Sequence, residues 1–297
     1  MSNVLVDLSN AMAAAAEKAG ASTLLVNARR RMPASGIAYA ADLVLTADHV
    51  VEHEDGITVL LPDGSEVSAK LAGRDPGSDL AVLRLEKAAA KAAEPAAEAR
   101  IGQLVLALGR PSPEGIEASL GVVSAVGGPV RTPRGSIDRY IRTDTTPYPG
   151  FSGGPLVDAE GRVVGVNTSG FGRGVALTIP ADLAWKVADQ LVKHGSVKRG
   201  YLGVRSEAVE IAAAAQKALK RKQATGLLVI SVEHDSPAES GGLMVGDILA
   251  GVDGAPVADH DALFARLTGD AVGKSIPVEI LRGGEPKTLK VEIGARP

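Results

Sequence analysis

From Thr23 to Ile179 the chain is a succession of short β-prone runs, cut by Gly, Pro, Asp and Asn, with no helical pattern between successive runs. Ile57 to Leu61, the turn Pro62-Asp63-Gly64 and Val67 to Leu71 together read as one hairpin. Many short strands at this spacing fold as antiparallel barrels, because closure removes the unpaired edges that a flat sheet would expose. The region holds room for two. The second runs from about Gly102 to Ile179, and the Ala- and charge-rich segment Lys87 to Arg100 connects it to the first, partly as helix, with Pro95 interrupting. Two helices flank the β region. Leu5, Leu8, Met12, Ala15, Ala16 and Ala19 recur at helical spacing, and Gly20 ends that run. Pro180 opens another, in which Leu183, Val187 and Leu191 share a face and Gly195 closes it.

The pattern changes again after a short polar linker, 196–200. Leu227 to Val232 and Gly246 to Val252 read as strands, Ser236 to Leu243 as a short helix and turn, and Ala258 to Leu267 as a helix. Ile276 to Arg282 and Lys287 to Ile293 form a closing pair. At 297 residues the chain has the length of about two domains, each large enough for its own core.

Within the barrels three segments carry chemistry. Tyr148-Pro149-Gly150-Phe151-Ser152-Gly153-Gly154-Pro155-Leu156 places a serine among glycines, just before an apolar strand. A hydroxyl there can attack a carbonyl while the glycine-rich backbone turns its N–H groups toward the oxyanion that forms. Leu43 to Val51 brings a histidine, His49, to the end of a strand. Gly73 to Leu83 brings Asp79 to the start of another. Nucleophilic serine chemistry needs a base for the hydroxyl proton and a carboxylate to orient that base. The order His, Asp, Ser is that of the chymotrypsin architecture and not of the subtilisin or α/β-hydrolase ones.

With those segments, and with Gly161 to Thr168 and Arg199-Gly200-Tyr201-Leu202-Gly203-Val204, the chain resembles the HtrA/Deg family of trypsin-like serine proteases with one C-terminal PDZ domain. The similarity runs from about Leu8 to the C-terminus. It implies a mainly β protein: a chymotrypsin-like double six-stranded β-barrel protease domain over 1–195, a linker over 196–200 and an α+β PDZ domain over 201–297. It implies that His49 is the general base and acid, that Asp79 orients it and that Ser152 is the nucleophile. Asp75 is the rival orienter. Asp79 is preferred because it abuts the apolar strand as the family's aspartate does, whereas Asp75 precedes Pro76 and reads as turn chemistry. By the same analogy the amides of Gly150 and Ser152 form the oxyanion hole.

The resemblance also places Thr146, Pro147 and the strand Val175 to Ile179 on the substrate pocket, and lets Thr168, Ser169 and Gly170 pair with the substrate backbone. None of these is charged, so small or medium aliphatic residues suit the pocket better than Lys or Arg. Tyr201, Leu202, Gly203 and Val204 match the family's carboxylate-binding loop, with Leu202, Val204, Ile230 and Leu267 as candidates for its side-chain pocket. The expected partners are unfolded polypeptides as substrates, peptide C-termini at the PDZ domain and two further copies of the chain in a homotrimer. No cofactor is expected.

Phe151 departs from the family, which has asparagine there. Its ring either packs into the barrel or crowds the oxyanion loop. The second outcome motivates a rival reading, a proteolytically silent, PDZ-bearing peptide-binding or chaperone protein. The usual Gly-Ser-Gly-Phe entry strand appears only loosely, as Ala34-Ser35-Gly36-Ile37.

Composition removes other classes. There are no cysteines, so disulfides and thiolate sites are excluded. A formal charge of -3 gives no reason to expect nucleic acid, and Arg29-Arg30-Arg31 reads as an isolated, solvated triplet. His49-Val50-Val51-Glu52-His53 fits an inverted zinc-peptidase signature, but a β-like run precedes it and Asp55-Gly56 breaks it, so no metal site is expected. The first residues carry neither a leader pattern nor a membrane span. As written the chain reads as cytoplasmic, and as periplasmic or envelope-bound if it is a trimmed piece.

Overall fold

The computed structural model describes residues 3–132, 135–137, 139–171, 177–197, 200–267 and 269–295. The backbone divides into two compact units, 1–197 and 198–297. Val175, Ala176 and Arg199, drawn into the sequence reading, lie outside the described residues.

The first unit begins with helix α1 (Val4–Gly20). Six strands follow: β1 (Thr23–Asn27), β2 (Ala34–Ala40), β3 (Leu43–Ala47), β4 (Ile57–Leu60), β5 (Glu66–Asp75) and β6 (Leu80–Leu85). They close in the order β1-β2-β3-β6-β5-β4, every pairing antiparallel. Strands β7 (Leu104–Ser112), β8 (Gly115–Gly127), β11 (Tyr140–Thr143), β12 (Pro155–Val157), β13 (Val163–Thr168) and β14 (Leu177–Pro180) form a second closed barrel. A small hairpin, β9 (Val130–Thr132) with β10 (Gly135–Ile137), projects between β8 and β11.

Strand β3 shows why these segments are apolar throughout. All five of its residues are buried, because both faces are covered. Val44 points into the first barrel, with Ala81 and Leu83 of β6. Leu43 and Leu45 point the other way, into a core that β6 reaches through Leu80 and Val82. The period of two thus feeds alternate residues to two cores. The second barrel does the same: Val105 and Ala107 fill its interior, while Leu106 and Leu108 join the core shared with the first barrel. Helix α2 (Ala181–His194) seals that shared core through Ala184, Ala188 and Leu191. Its buried spine is therefore mostly alanine, and Leu183 and Val187 are only half-buried at its sides.

One expected element is different. No helix forms in the Ala-rich connection 87–100. Pro95 lacks an N–H and disfavours helical backbone at Glu94. The segment runs extended instead, and its amides find acceptors on the barrels, Ala93 on Ala38 and Ala96 on Val163.

The second unit is built on a sheet ordered β16 (Val204–Glu210), β17 (Thr225–Val232), β18 (Ile248–Val252), β20 (Ser275–Arg282), β21 (Glu285–Glu292). Short pairs β18–β19 (Ala255–Pro256) and β15–β22 (Gly200–Tyr201 with Gly294–Ala295) complete it. Gly200, read as linker, belongs to a strand of this unit. The helices are short: α3 (Ala213–Ala218), α4 (Pro237–Ser240) and α5 (His260–Phe264). The last starts where Asp259 caps it, two residues later than expected, and α3 carries no sequence signal beyond a run of alanines.

Candidate active site

The site lies between the two barrels of the first unit. His49 sits on a single 3₁₀ turn, Asp48–Val50, at the end of β3. Asp79 sits at the tip joining β5 to β6, with a left-handed backbone, φ 55°. Backbone bonds fasten one to the other: the Asp48 amide donates to the Asp79 carbonyl at 3.0 Å, and the His49 amide to Asp79 Oδ1 at 2.9 Å. Arg74 on β5 anchors the turn from beneath, its Nε donating to buried Asp48 Oδ1 at 2.6 Å. That bond to Asp48, ahead of the opposing effect of burial, holds the Arg74 guanidinium above its usual range.

His49 Nδ1 lies 2.8 Å from Asp79 Oδ2 and 3.1 Å from Oδ1. A carboxylate only accepts, so the ring proton resides on Nδ1 and Nε2 carries the free lone pair. Asp79 Oδ2 also accepts from Thr168 Oγ1, which reaches across from β13 of the other barrel. Gly170 closes the back of this arrangement. A Cβ there would lie 2.4 Å from Asp79 Oδ2 and 2.9 Å from His49 Nδ1. Asp75 serves elsewhere: buried, it accepts from the Gly77 and Ser78 amides and from Ser78 Oγ, which shapes the tip that delivers Asp79.

Ser152 comes from the second barrel, in the loop before β12. The loop opens with a turn in which the Phe151 amide donates to the Tyr148 carbonyl at 3.1 Å. Pro149 and Gly150 occupy its centre, the pairing a type II turn requires. Gly150 has φ 86°, and a Cβ there would meet Pro111 Cβ at 2.6 Å. Phe151 resolves the alternatives left by the sequence. The residue is 3% exposed and its ring packs inside the second barrel with Val105, Val123 and Ile141, edge-on to Tyr148. The amides of Gly150 and Ser152 have no acceptor among the described residues, whereas those of Phe151, Gly153 and Gly154 are all paired. The Ser152 hydroxyl shares a hydrogen bond of 3.1 Å with Ser169 Oγ. It makes none with His49, but both line one cleft of about 390 Å³.

That cleft is lined by Pro147, Thr168 and Ser169, three of the residues the resemblance assigns to a substrate pocket. Thr146 does not line it. Its amide is tied to Ser119 Oγ, and the neighbours Thr143 and Thr145 face the space instead. Gly170 is likewise behind the His49–Asp79 pair and not on the wall. The basic triplet is more than a solvated loop, since Arg29 and Arg31 line the cleft and Arg29 is half-buried on the carbonyls of Met32 and Pro33. Among the described residues that line the cleft, none is a carboxylate. Asn167 contributes a buried Nδ2 without a partner among the described residues, its Oδ1 accepting from Thr178. His53 is not aligned with His49 on any helix; its Nδ1 is bonded to the Asp55 carbonyl. Among the described residues one group of three side chains has metal-ligating spacing, His234, Asp235 and Glu239, and all are exposed.

In the second unit, the Leu202 and Gly203 amides also lack acceptors among the described residues, while the carbonyls of both are paired. Gly203 adopts φ 81°. Leu202 and Leu267 are core residues, and Val204 packs at the edge of that core. Ile230 faces the opposite side of β17 and is 45% exposed, so the alternation of the strand removes it from any shared pocket.

Residues 34–166 match the trypsin-like peptidase domain family, and residues 200–293 match the PDZ domain family. A probable periplasmic serine endoprotease, DegP-like, from Ectopseudomonas mendocina (strain ymp) is 38% identical over 271 residues, 89% of this chain and 56% of that protein. Its counterpart in Brucella suis biovar 1 is 36% identical, covering 89% and 52%. The chain thus spans about half the length of these curated relatives. Among solved structures, the HtrA-type protease AlgW with decapeptide superposes with TM-score 0.81 at 30% identity, covering 96% of this chain and 99% of that one. AlgW with tripeptide gives 0.79 at 32%, covering 96% and 97%.

Proposed function

The chain belongs to the HtrA-type, DegP-like serine proteases that join a trypsin-like domain to a PDZ domain, and from that premise we propose that it is an endopeptidase of unfolded or damaged protein. The observation that carries this reading is the constellation in one cleft: a histidine whose Nδ1 is held by a buried carboxylate, a serine hydroxyl and two unpaired amides beside it.

In the proposed reaction Ser152 Oγ attacks the scissile carbonyl while His49 Nε2 takes its proton. Asp79 stabilises the imidazolium and keeps the ring from turning. The Gly150 and Ser152 amides receive the negative oxygen, in a site where fixed dipoles need no reorganisation. His49 then returns the proton to the leaving amine. A water, deprotonated by the same imidazole, hydrolyses the acyl-enzyme. No step uses ATP or a metal. The burial of Phe151 inside the barrel takes away the motive for the silent-scaffold reading.

The absence of a carboxylate from the described cleft lining favours non-basic P1 residues. AlgW is a relative described with bound peptides. A peptide C-terminus at the free Leu202 and Gly203 amides is the corresponding role for the second unit here. The homotrimer is what the family resemblance implies, and the exposed apolar start of α1, Val4, Leu5 and Leu8, offers a surface for association. Among the described residues no helix is long and apolar enough to cross a membrane. The cytoplasmic location read from the first residues has no support among the relatives; their printed names favour the periplasm.

The test is incubation with an unfolded protein such as reduced casein, analysed by mass spectrometry. Internal cleavage by the wild type and none by Ser152→Ala is expected. An equal rate from both would overturn the assignment.

A further inference from the structure

We propose that Ser35, on β2 of the first barrel, is a positioning residue that holds the nucleophile loop of the second barrel in its oxyanion-accepting form. The inference rests on the protease reading above and concerns the same site.

Ser35 is fully buried, and each of its polar atoms is engaged. Its hydroxyl donates to the Gly150 carbonyl at 2.7 Å. Its amide donates to the Ser152 carbonyl at 3.2 Å. The hydroxyl oxygen accepts from the Arg110 amide at 2.8 Å, and the Ser35 carbonyl accepts from Thr46 Oγ1 at 2.7 Å. The serine is thus fixed by its own barrel and by β7 before it touches the loop.

The consequence follows from which peptide units are held. The unit joining Gly150 to Phe151 is bonded at both ends, its carbonyl to Ser35 Oγ and its N–H to the Tyr148 carbonyl. The unit joining Ser152 to Gly153 is also bonded at both ends, its carbonyl to the Ser35 amide and its N–H to the Asn167 carbonyl. The N–H groups left over are those of Gly150 and Ser152, on the Pro149–Gly150 unit just before and the Phe151–Ser152 unit between. Turning either restrained unit over would break two hydrogen bonds and bury unpaired groups. One residue therefore restrains both carbonyls that alternate with the two oxyanion donors. The backbone half of this clamp survives any side-chain substitution. The hydroxyl half, on Gly150, does not.

Removing the hydroxyl should loosen the Gly150 peptide and act on the transition state, where the oxyanion exists, more than on the bound substrate. Outright loss of an oxyanion donor lowers turnover by about 100-fold or more; loss of its support should lower it by about 10-fold. The experiment measures kcat and KM on a peptide substrate for wild type, Ser35→Ala and Ser35→Cys, each normalised by end-point titration with a fluorophosphonate. Ser35→Ala is expected to lose about 10-fold in kcat per titrated site with KM within about twofold, and the near-isosteric Ser35→Cys, a weak donor, to fall between. If Ser35→Ala fails to fold, a lowered kcat per titrated site in Ser35→Cys carries the same conclusion. A residue that merely stabilises the fold would lower the titrated fraction and leave kcat per site at the wild-type value, and that outcome overturns the proposal. A wild type that neither cleaves peptide nor takes the label refutes the protease reading itself, and the role of Ser35 with it.

Discussion

Replacing Asp79 by asparagine turns one acceptor oxygen into a donor and leaves the volume nearly unchanged. Asp79 Oδ1 accepts the His49 backbone amide, so the substituted side chain must keep an oxygen there. Its NH₂ then takes the Oδ2 position, 2.8 Å from His49 Nδ1. An NH₂ at that point can only donate, so the imidazole must present Nδ1 as acceptor and carry its proton on Nε2. Nε2 no longer accepts the Ser152 proton. The hydroxyl of Thr168 now faces a donor as well, but it can turn its own proton away and accept. The catalytic penalty expected from a wrong tautomer is about 10⁴ in kcat, or about 5.4 kcal/mol on the barrier. The fold should survive, since nothing is enlarged. Steady-state hydrolysis of a peptide substrate, with a thermal melt as control, reads both quantities. Asp75→Asn should leave kcat within a few-fold, because Asp75 bonds to its own turn. The reasoning is refuted if Asp79→Asn turns over like wild type, or if the 10⁴ loss belongs to Asp75→Asn.

Gly170→Ala would drive a methyl to 2.4 Å from Asp79 Oδ2, so kcat should fall by about 100-fold in a protein that still folds; unchanged kinetics would show that the loop yields freely. Phe151→Ala empties a position in the interior of the second barrel and should lower unfolding stability by about 3–5 kcal/mol, measured by urea titration; a loss under about 1 kcal/mol would place the ring outside the core. Burial first, and then the hydrogen bond from its hydroxyl to Asp189, push the Tyr39 phenol up to about 12. A folded value above the unfolded one of 10.0 means a contribution that is complete below that pH and lost as pH rises toward about 12. The stability gap between wild type and Tyr39→Phe should therefore narrow over that interval, and a gap independent of pH would contradict the assignment.

The two barrels were legible because their strands are covered on both faces and so are apolar along their whole length, as β3 shows. The three catalytic candidates were legible for a related reason. Each ends or begins such a strand, and strand ends are where a barrel can present polar groups to a cleft. What the sequence hid is what one barrel lends to the other. Thr168 and Ser35 look like ordinary strand residues, and their hydroxyls gain meaning only when β13 is set against Asp79 and β2 against Gly150. Asp48 and Arg74 are hidden for the same reason, being 26 residues apart in the chain and 2.6 Å apart in space. The connection 87–100 misled in the other direction. Its alanines favour helix locally, yet Pro95 and the open acceptors on both barrels draw it into an extended path.

The most direct measurement is the rate and position of covalent labelling by a fluorophosphonate, followed by peptide mapping of the adduct. One phosphonyl group on Ser152 is expected, with a rate that collapses in His49→Ala although residue 49 never touches the reagent's phosphorus. A folded wild type that takes no label, or one whose labelling is indifferent to His49→Ala, would mean that the imidazole and the hydroxyl facing this cleft do not act together.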